Sequence, residues 1–152
     1  IAGISGIDTR ALTKKIRENG TILGKIIQQP SGPFLGLEFK DQNERNLVAE
    51  VSIQKVKTYN PKGSPRICAV DCGLKLNQIR CFINRGARVD VVPWDHTLDP
   101  NDFEGLFLSN GPGKDPVMCK KTVKNIQNVI ASPKIRPIFG ICLGHQLLST
   151  AI

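Results

Sequence analysis

The chain has 152 residues, enough for one ordinary domain or for parts of two. Lys and Arg number 21 against 13 Asp and Glu, a formal net charge of +8. The basic residues are nevertheless scattered and aromatics make up only 5%, so neither the dense basic run nor the stacking platform of a nucleic-acid binder is present. No stretch of about 20 apolar residues exists and the start lacks a basic segment leading into an apolar core, so neither a membrane span nor a secretory signal is expected.

Ser5-Gly6 precedes Asp8, a capping residue, and Ala11, Leu12, Lys15 and Ile16 follow at helical spacing until Asn19-Gly20 stops the helix. The compact apolar run 21–27 predicts a strand. Gln29-Pro30-Ser31-Gly32-Pro33 breaks the chain, and a polar segment without a clear pattern follows. Alternation of Val51, Ile53 and Val56 predicts a strand within 47–57. Tyr59-Asn60-Pro61-Lys62-Gly63-Ser64-Pro65 reads as a linker. The expected organisation is therefore a first domain over 1–58, a linker at 59–65 and a second domain over 66–152.

After Pro65 the rhythm alternates. Strands are predicted at 67–70, 87–92, 105–108 and 137–141. Helices are predicted at 74–84, ended by Gly86, and at 116–131, with Val117, Val123, Ile126, Val129 and Ile130 facing inward. Such alternation implies an α/β fold, a parallel sheet with helices on both faces, preceded by part of a smaller α/β domain. Functional groups then gather at the carboxyl ends of the strands. The absence of an initial Met, and an ending at Ala151-Ile152 inside an apolar helix, read as a fragment of a longer chain.

Five cysteines (Cys68, Cys72, Cys81, Cys119 and Cys142) form an odd set without a C-x-x-C pair. A zinc site needs clustered Cys and His, which neither His96 nor His145 supplies, so no metal is expected. Free thiols in a reducing compartment, the cytoplasm, fit this usage. The most informative stretch is Pro137-Ile138-Phe139-Gly140-Ile141-Cys142-Leu143-Gly144-His145-Gln146. An apolar run leads to a cysteine two residues from a glycine on each side, then to a helical segment. This predicts a sharp strand-to-helix turn presenting Cys142 from a strained backbone, as in the nucleophile elbow of serine hydrolases. The following helix directs free N–H groups and partial positive charge at the thiol, a setting that stabilises negative charge. On spacing alone, a buried core thiol and a nucleophile both fit.

That segment resembles the nucleophile region of class I (triad-type) glutamine amidotransferases. Two further segments match: Leu108-Ser109-Asn110-Gly111-Pro112-Gly113, and Arg66 to Lys75. With Ile7-Asp8-Thr9-Arg10-Ala11-Leu12-Thr13, they are similar to the glutaminase (small) subunit or domain of carbamoyl-phosphate synthetase. Asn77-Gln78-Ile79-Arg80-Cys81 and Val92-Pro93-Trp94-Asp95-His96 look most like animal forms, in which this domain begins a fused pyrimidine-synthesis protein carrying carbamoyl-phosphate synthetase, aspartate transcarbamylase and dihydroorotase.

The resemblance implies that Cys142 attacks the side-chain amide of glutamine, giving a γ-glutamyl thioester and ammonia. It implies that backbone N–H groups of Leu143 and Gly111 receive the oxyanion, and that Gly113 and Gln146 surround the bound glutamine. It further implies a synthetase domain or subunit as partner, which uses the ammonia with bicarbonate and ATP and holds the ATP and magnesium itself. No cofactor is expected in the present chain, and the full-length protein is expected to be oligomeric. The catalytic base comes, in the family, from a His-x-Glu pair downstream of the cysteine; His145 is not expected to replace it, and His96 reads as a rim residue. Asp71, Gly73, Lys75 and Asn77 match a family pattern and read as capping and turn residues. Where the family has Gly-Pro-Gly-Asp-Pro, this chain carries an extra Lys114 before Asp115, which is expected to displace the start of the next helix. Alternatives are an arginine- or urea-linked synthetase, another triad amidotransferase of guanylate or anthranilate type, and a scaffold domain whose glutaminase is inactive.

Overall fold

The computed structural model describes residues 3–27, 38–113 and 116–152. The expected break at 29–33, the inserted Lys114 with Asp115, and the inward placement of Val117 lie outside what is described. The chain divides into two compact units, residues 1–42 and 43–152.

In the first unit, α1 (Thr9–Asn19) begins where Asp8 Oδ1 accepts the Ala11 N–H at 2.9 Å and ends at Gly20, which has φ 73°. This satisfies one of the otherwise unpaired first-turn donors. The strand expected over 21–27 is not formed. Those residues are irregular, because an extended run becomes a strand only against a hydrogen-bonding partner, and none pairs with it among the described residues.

The second unit starts differently from the sequence expectation. Asn46 Oδ1 accepts the Ala49 N–H at 3.0 Å and caps α2 (Leu47–Val51), a single turn that buries Val48. Capping at Asn46 wins over the alternating pattern, and the chain becomes extended only at β1 (Lys57–Tyr59). The expected linker at 59–65 is a turn inside this unit. Gly63 N donates to Asn60 O at 2.9 Å, and Asn60 Nδ2 donates to the carbonyls of Gly86 and Ala87. By compactness the division therefore falls at 42/43, since β1 is zipped into the sheet that follows.

That sheet has five strands: β1, β2 (Arg66–Asp71), β3 (Arg88–Pro93), β4 (Gly105–Leu108) and β5 (Ile138–Gly140), in the order β1-β3-β2-β4-β5. The last four are parallel, and β1 is an antiparallel edge. Successive residues of a strand face opposite sides, so β2 supplies two cores. Cys68 and Val70 join Leu106, Leu108, Ile126, Val129 and Leu147 on one face. Ala69 joins Ile79, Val89, Val91 and Phe107 on the other. α3 (Leu76–Ile83) covers the second face; α4 (Lys120–Ile130) and α5 (Leu143–Ala151) cover the first. Complete burial of Leu108, Ile126 and Leu147 contributes about 1.5–3 kcal/mol for each side chain.

α3 ends in a Schellman motif. Gly86, at φ 87°, donates to Ile83 O at 2.9 Å and Ala87 donates to Phe82 O at 3.2 Å. The helix expected over 116–131 opens as a 3-10 turn, Pro116–Cys119, before α4. Ile126 and Val129 are buried and Val123 is half-buried, but Ile130 is exposed: it falls on the solvent side of the turn, where Thr122 takes the inner position instead. The Thr122 hydroxyl offsets its burial by donating to Trp94 O at 2.7 Å. Among the described residues, no helix is long and apolar enough to cross a membrane.

Candidate active site

Strand order sets where the site lies. The chain runs from β2 outward to β3 and then returns to the opposite side of β2 with β4. The carboxyl ends of β2 and β4 thus flank a topological switch point, where loops diverge and leave a crevice. β5 lies next to β4, with Leu108 opposite Gly140, so the loops after β2, β4 and β5 emerge side by side.

The loop after β5 is a single sharp bend. Ile141 N donates to Leu108 O at 3.0 Å, prolonging the ladder by one bond. Cys142 then adopts φ 54°, ψ −110°, and α5 starts at Leu143. A non-glycine residue held there stores about 1–3 kcal/mol of strain, a cost met at sites where surrounding structure dictates the backbone. The neighbouring glycines supply that constraint. A Cβ on Gly140 would lie 2.5 Å from the Gly144 carbonyl carbon and oxygen and 2.6 Å from His145 N; one on Gly144 would overlap the Leu108 carbonyl. Only glycine at both positions lets strand and helix meet this closely. Gly144 N bonds Ile141 O at 2.9 Å and Gln146 N bonds Cys142 O at 3.1 Å, so the helix is established within one turn of the cysteine.

Cys142 is exposed at the N-terminus of α5. Cys81 is also exposed, whereas Cys68, Cys72 and Cys119 are buried. Burial pushes the thiols of Cys68 and Cys72 up to about 12 and raises that of Cys119. Three of the five sulfurs are therefore withheld from thiolate chemistry near neutral pH, since the thiolate is the reactive form.

The loop after β4 brings Gly111 to this bend. A Cβ on Gly111 would overlap the Cys72 carbonyl and stand 2.8 Å from Leu143 Cδ2. Gly111 is wedged between the turn after β2 and the first residue of α5. Among the described residues, no acceptor takes the N–H of Gly111 or of Leu143. Gly113 has φ 110° with open space where a side chain would be, and Gln146 is exposed one turn along α5. Of the residues singled out from sequence, Cys142, Leu143 and Gly111 converge on one bend, and Gly113 and Gln146 lie on the two segments leading away from it.

His145 is exposed, and no hydrogen bond joins it to Cys142 among the described residues. His96 follows β3, and its carbonyl accepts from Asn125 Nδ2 at 2.7 Å, a packing role against α4. Asp71 does cap the turn after β2: its Oδ1 accepts the N–H groups of Gly73 at 2.9 Å and Leu74 at 2.7 Å. Lys75 N donates to Gln78 Oε1 at 3.1 Å at the start of α3. Ser109 and Asn110, quoted above within a matching segment but given no role there, link the loops after β2 and β4. The available signal was two polar residues directly after the apolar strand β4 and immediately before Gly111. Among the described residues, no group of three or more His, Cys, Asp and Glu is arranged to hold a metal ion.

Known proteins resemble the chain over the same residues. The family model for glutamine amidotransferase class-I matches residues 68–152. The chain is 55% identical over 152 residues to the multifunctional protein CAD of Squalus acanthias, covering 100% of the chain and 7% of that protein. It is 46% identical over 167 residues to the multifunctional protein pyr1-3 of Dictyostelium discoideum, covering 99% and 7%. It is 45% identical over 155 residues to the mitochondrial carbamoyl-phosphate synthase (ammonia) of Aquarana catesbeiana, covering 99% and 10%. The chain thus spans a tenth or less of the length of each of these relatives.

Proposed function

Because the chain belongs to the class I glutamine amidotransferases, we propose that it is the glutamine-hydrolysing part of a carbamoyl-phosphate synthetase acting in de novo pyrimidine synthesis. The observation that carries this reading is Cys142 at φ 54°, exposed at a helix N-terminus between two glycines that tolerate no side chain. Cys142 Sγ attacks the γ-amide carbon of glutamine. The carbonyl oxygen takes up negative charge and receives hydrogen bonds from the N–H groups of Gly111 and Leu143, which have no other acceptor among the described residues. Collapse expels ammonia, the departing nitrogen taking up the proton that the thiol gave to the base, and leaves a γ-glutamyl thioester. Water then hydrolyses the thioester to glutamate and regenerates the thiol. Gly113 and Gln146 line the glutamine. In the resembled family the base belongs to a His-x-Glu pair, and neither His96 nor His145 is followed two residues later by Glu.

The ammonia passes to a synthetase domain or subunit, which holds ATP and magnesium and combines it with bicarbonate. Names of the similar proteins from Squalus and Dictyostelium support a multifunctional setting, and a cytoplasmic, oligomeric protein accords with that. A second reading has one specific support. A relative named for ammonia is 45% identical, so the domain could serve as a scaffold in a protein using free ammonia. Retention of Cys142 in its elbow favours the glutaminase.

The deciding experiment is Cys142→Ser in the complete gene product. Glutamine-dependent carbamoyl phosphate synthesis is expected to fall to background while ammonia-dependent synthesis persists, because the thiol is needed only to liberate ammonia. Glutamine use unchanged by the substitution would overturn the reading, and ammonia use alone in the wild type would favour the scaffold.

A further inference from the structure

The loop that carries Gly111 departs from β2 where backbone pairing ends. Val70 and Leu108 are the last paired residues, and Ser109 N makes a final bond to Val70 O at 3.2 Å. Beyond that point the ladder holds nothing, yet the contact stays tight. A Cβ on Gly73 would meet Pro112 Cδ at 2.9 Å and Gly111 Cα at 3.1 Å. Side chains supply the missing pairing. Ser109 Oγ accepts the Cys72 N–H at 2.9 Å and donates to Asn110 O at 2.8 Å. Asn110 Nδ2 donates to Gly73 O at 3.1 Å. The turn they grip is itself anchored, since Asp71 accepts from Gly73 and Leu74 through Oδ1 and from Ile53 N through Oδ2 at 2.9 Å.

We infer that Asn110, assisted by Ser109, is a positioning residue for glutamine hydrolysis, clasping the loop that bears Gly111 onto the β2–α3 turn so that the Gly111 N–H is held opposite the N-terminus of α5. This rests on the reading of Gly111 and Leu143 as oxyanion donors. Gly111 has no side chain with which to anchor itself, and it sits between the Cys72 carbonyl and Leu143. Its distance from the developing oxyanion is set by whatever fixes the loop. Such donors act at about 2.7–3.1 Å, and a misplacement of about 1 Å costs on the order of 10²-fold in rate. The orientation of the Asn110 amide follows from its partner, because a carbonyl can only accept. Its Oδ1 is consequently left buried without a hydrogen bond among the described residues. An acceptor stranded in this way is costly, so the residue is held by its donor, not by burial of its oxygen.

The test uses Asn110→Ala and Asn110→Asp in the complete gene product. Aspartate keeps the shape but, ionised, cannot donate to Gly73 O, so both variants are expected to lose the clasp. Glutamine-dependent kcat and kcat/KM should fall together by about 10- to 100-fold, since the oxyanion contact exists only in the transition state. A glutamine analogue with an aldehyde in place of the amide adds reversibly to the Cys142 thiol, the thiol proton passing to the aldehyde oxygen. Its affinity should weaken by a similar factor. Alkylation of Cys142 by iodoacetamide displaces iodide and forms no oxyanion, so its rate should stay unchanged, as should ammonia-dependent synthesis. Wild-type affinity for the aldehyde in Asn110→Ala, or normal glutamine turnover in Asn110→Asp, would overturn the inference. So would loss of alkylation and ammonia-dependent synthesis in step with glutamine use, which would make Asn110 a residue of the fold. A wild-type protein that neither turns over glutamine nor is alkylated at Cys142 would instead sink the glutaminase reading, before any variant is compared.

Discussion

Gly144, in the first turn of α5, packs directly against the carbonyl of Leu108 at the end of β4, and that same carbonyl accepts the Ile141 N–H at 3.0 Å. One peptide group thus fixes both the last rung of the ladder and the point at which the helix crosses it. The bend at Cys142 is the geometric consequence of satisfying both.

Gly144→Ala should therefore destabilise the second unit by about 3 kcal/mol, the upper end of the usual range for over-packing, because the neighbour it meets is backbone and cannot rotate away. Gly113→Ala is the contrasting case. Among the described residues, apart from its chain neighbours, no atom lies within 4 Å of the added methyl, and φ 110° opposes it, so the cost is conformational, about 1–2 kcal/mol. Thermal unfolding of the two variants should rank them in that order. An unperturbed Gly144→Ala would mean that the bend is looser than described.

Thiol reactivity should split the five cysteines. With Cys68 and Cys72 raised to about 12, their thiolate fraction at about pH 8 is roughly 10⁻⁴. Brief iodoacetamide treatment of folded protein should modify Cys142 and Cys81 and spare Cys68, Cys72 and Cys119. Glutamine should protect Cys142 and leave Cys81 unprotected, and a glutamine analogue with an electrophilic carbon should mark Cys142 alone. Peptide mapping by mass spectrometry reads all of this, and a label on any other cysteine from the analogue would contradict the assignment.

His145→Ala should leave glutamine-dependent activity within a few-fold of wild type. A general base contributes about 10²–10⁴-fold and needs hydrogen-bond reach of the proton it takes, and no such bond links His145 to Cys142 among the described residues. By the same reasoning the 152 residues expressed alone should release no ammonia from glutamine. A loss of about 10²-fold or more in the variant would make His145 the base, and robust turnover by the isolated chain would mean that His145 or His96 serves after all.

Asp90 joins the first three strands of the sheet. It is buried, and accepts from Thr58 Oγ1 at 2.6 Å on β1, from Arg66 on β2, and from Arg88 on its own strand. Burial alone would raise its pKa, but these donors outweigh it and hold the carboxyl below its ordinary value of 3.8. A depressed folded-state value adds stability that is complete above the unfolded-state value and is lost as pH falls through the folded one. Urea unfolding between about pH 3 and 7 should show stability declining below about pH 4. Asn at position 90 should cost about 1–3 kcal/mol at neutral pH and flatten that decline. An equally steep decline in Asp90→Asn would assign it to other carboxylates.

The elbow was legible in the sequence because its cause is local. Gly140, Cys142 and Gly144 lie within five consecutive residues, and the sterics of so short a turn leave few alternatives. The parallel strands were legible for a related reason: each is a compact apolar run closed by glycine, proline or a polar turn, and burial on both faces requires that pattern. Where competing local signals were comparable, the pattern misled. Val51, Ile53 and Val56 alternate as a strand would, but Asn46 caps a helix there. The apolar run 21–27 forms no strand, since extended chain gains its hydrogen bonds only from a partner. No reading of the chain could have paired Asn110 with Gly73 or wedged Gly111 between Cys72 and Leu143, contacts that span 37, 39 and 32 positions. Those are decided by strand order, which brings the ends of β2, β4 and β5 together. The sequence by itself determined which sulfur is presented on a strained turn. The tertiary structure alone decided what holds Gly111 against Leu143, namely the Cys72 carbonyl and the Asn110–Gly73 bond, because a side chain's chemistry is written in its own residue while its distant neighbours are written in the fold.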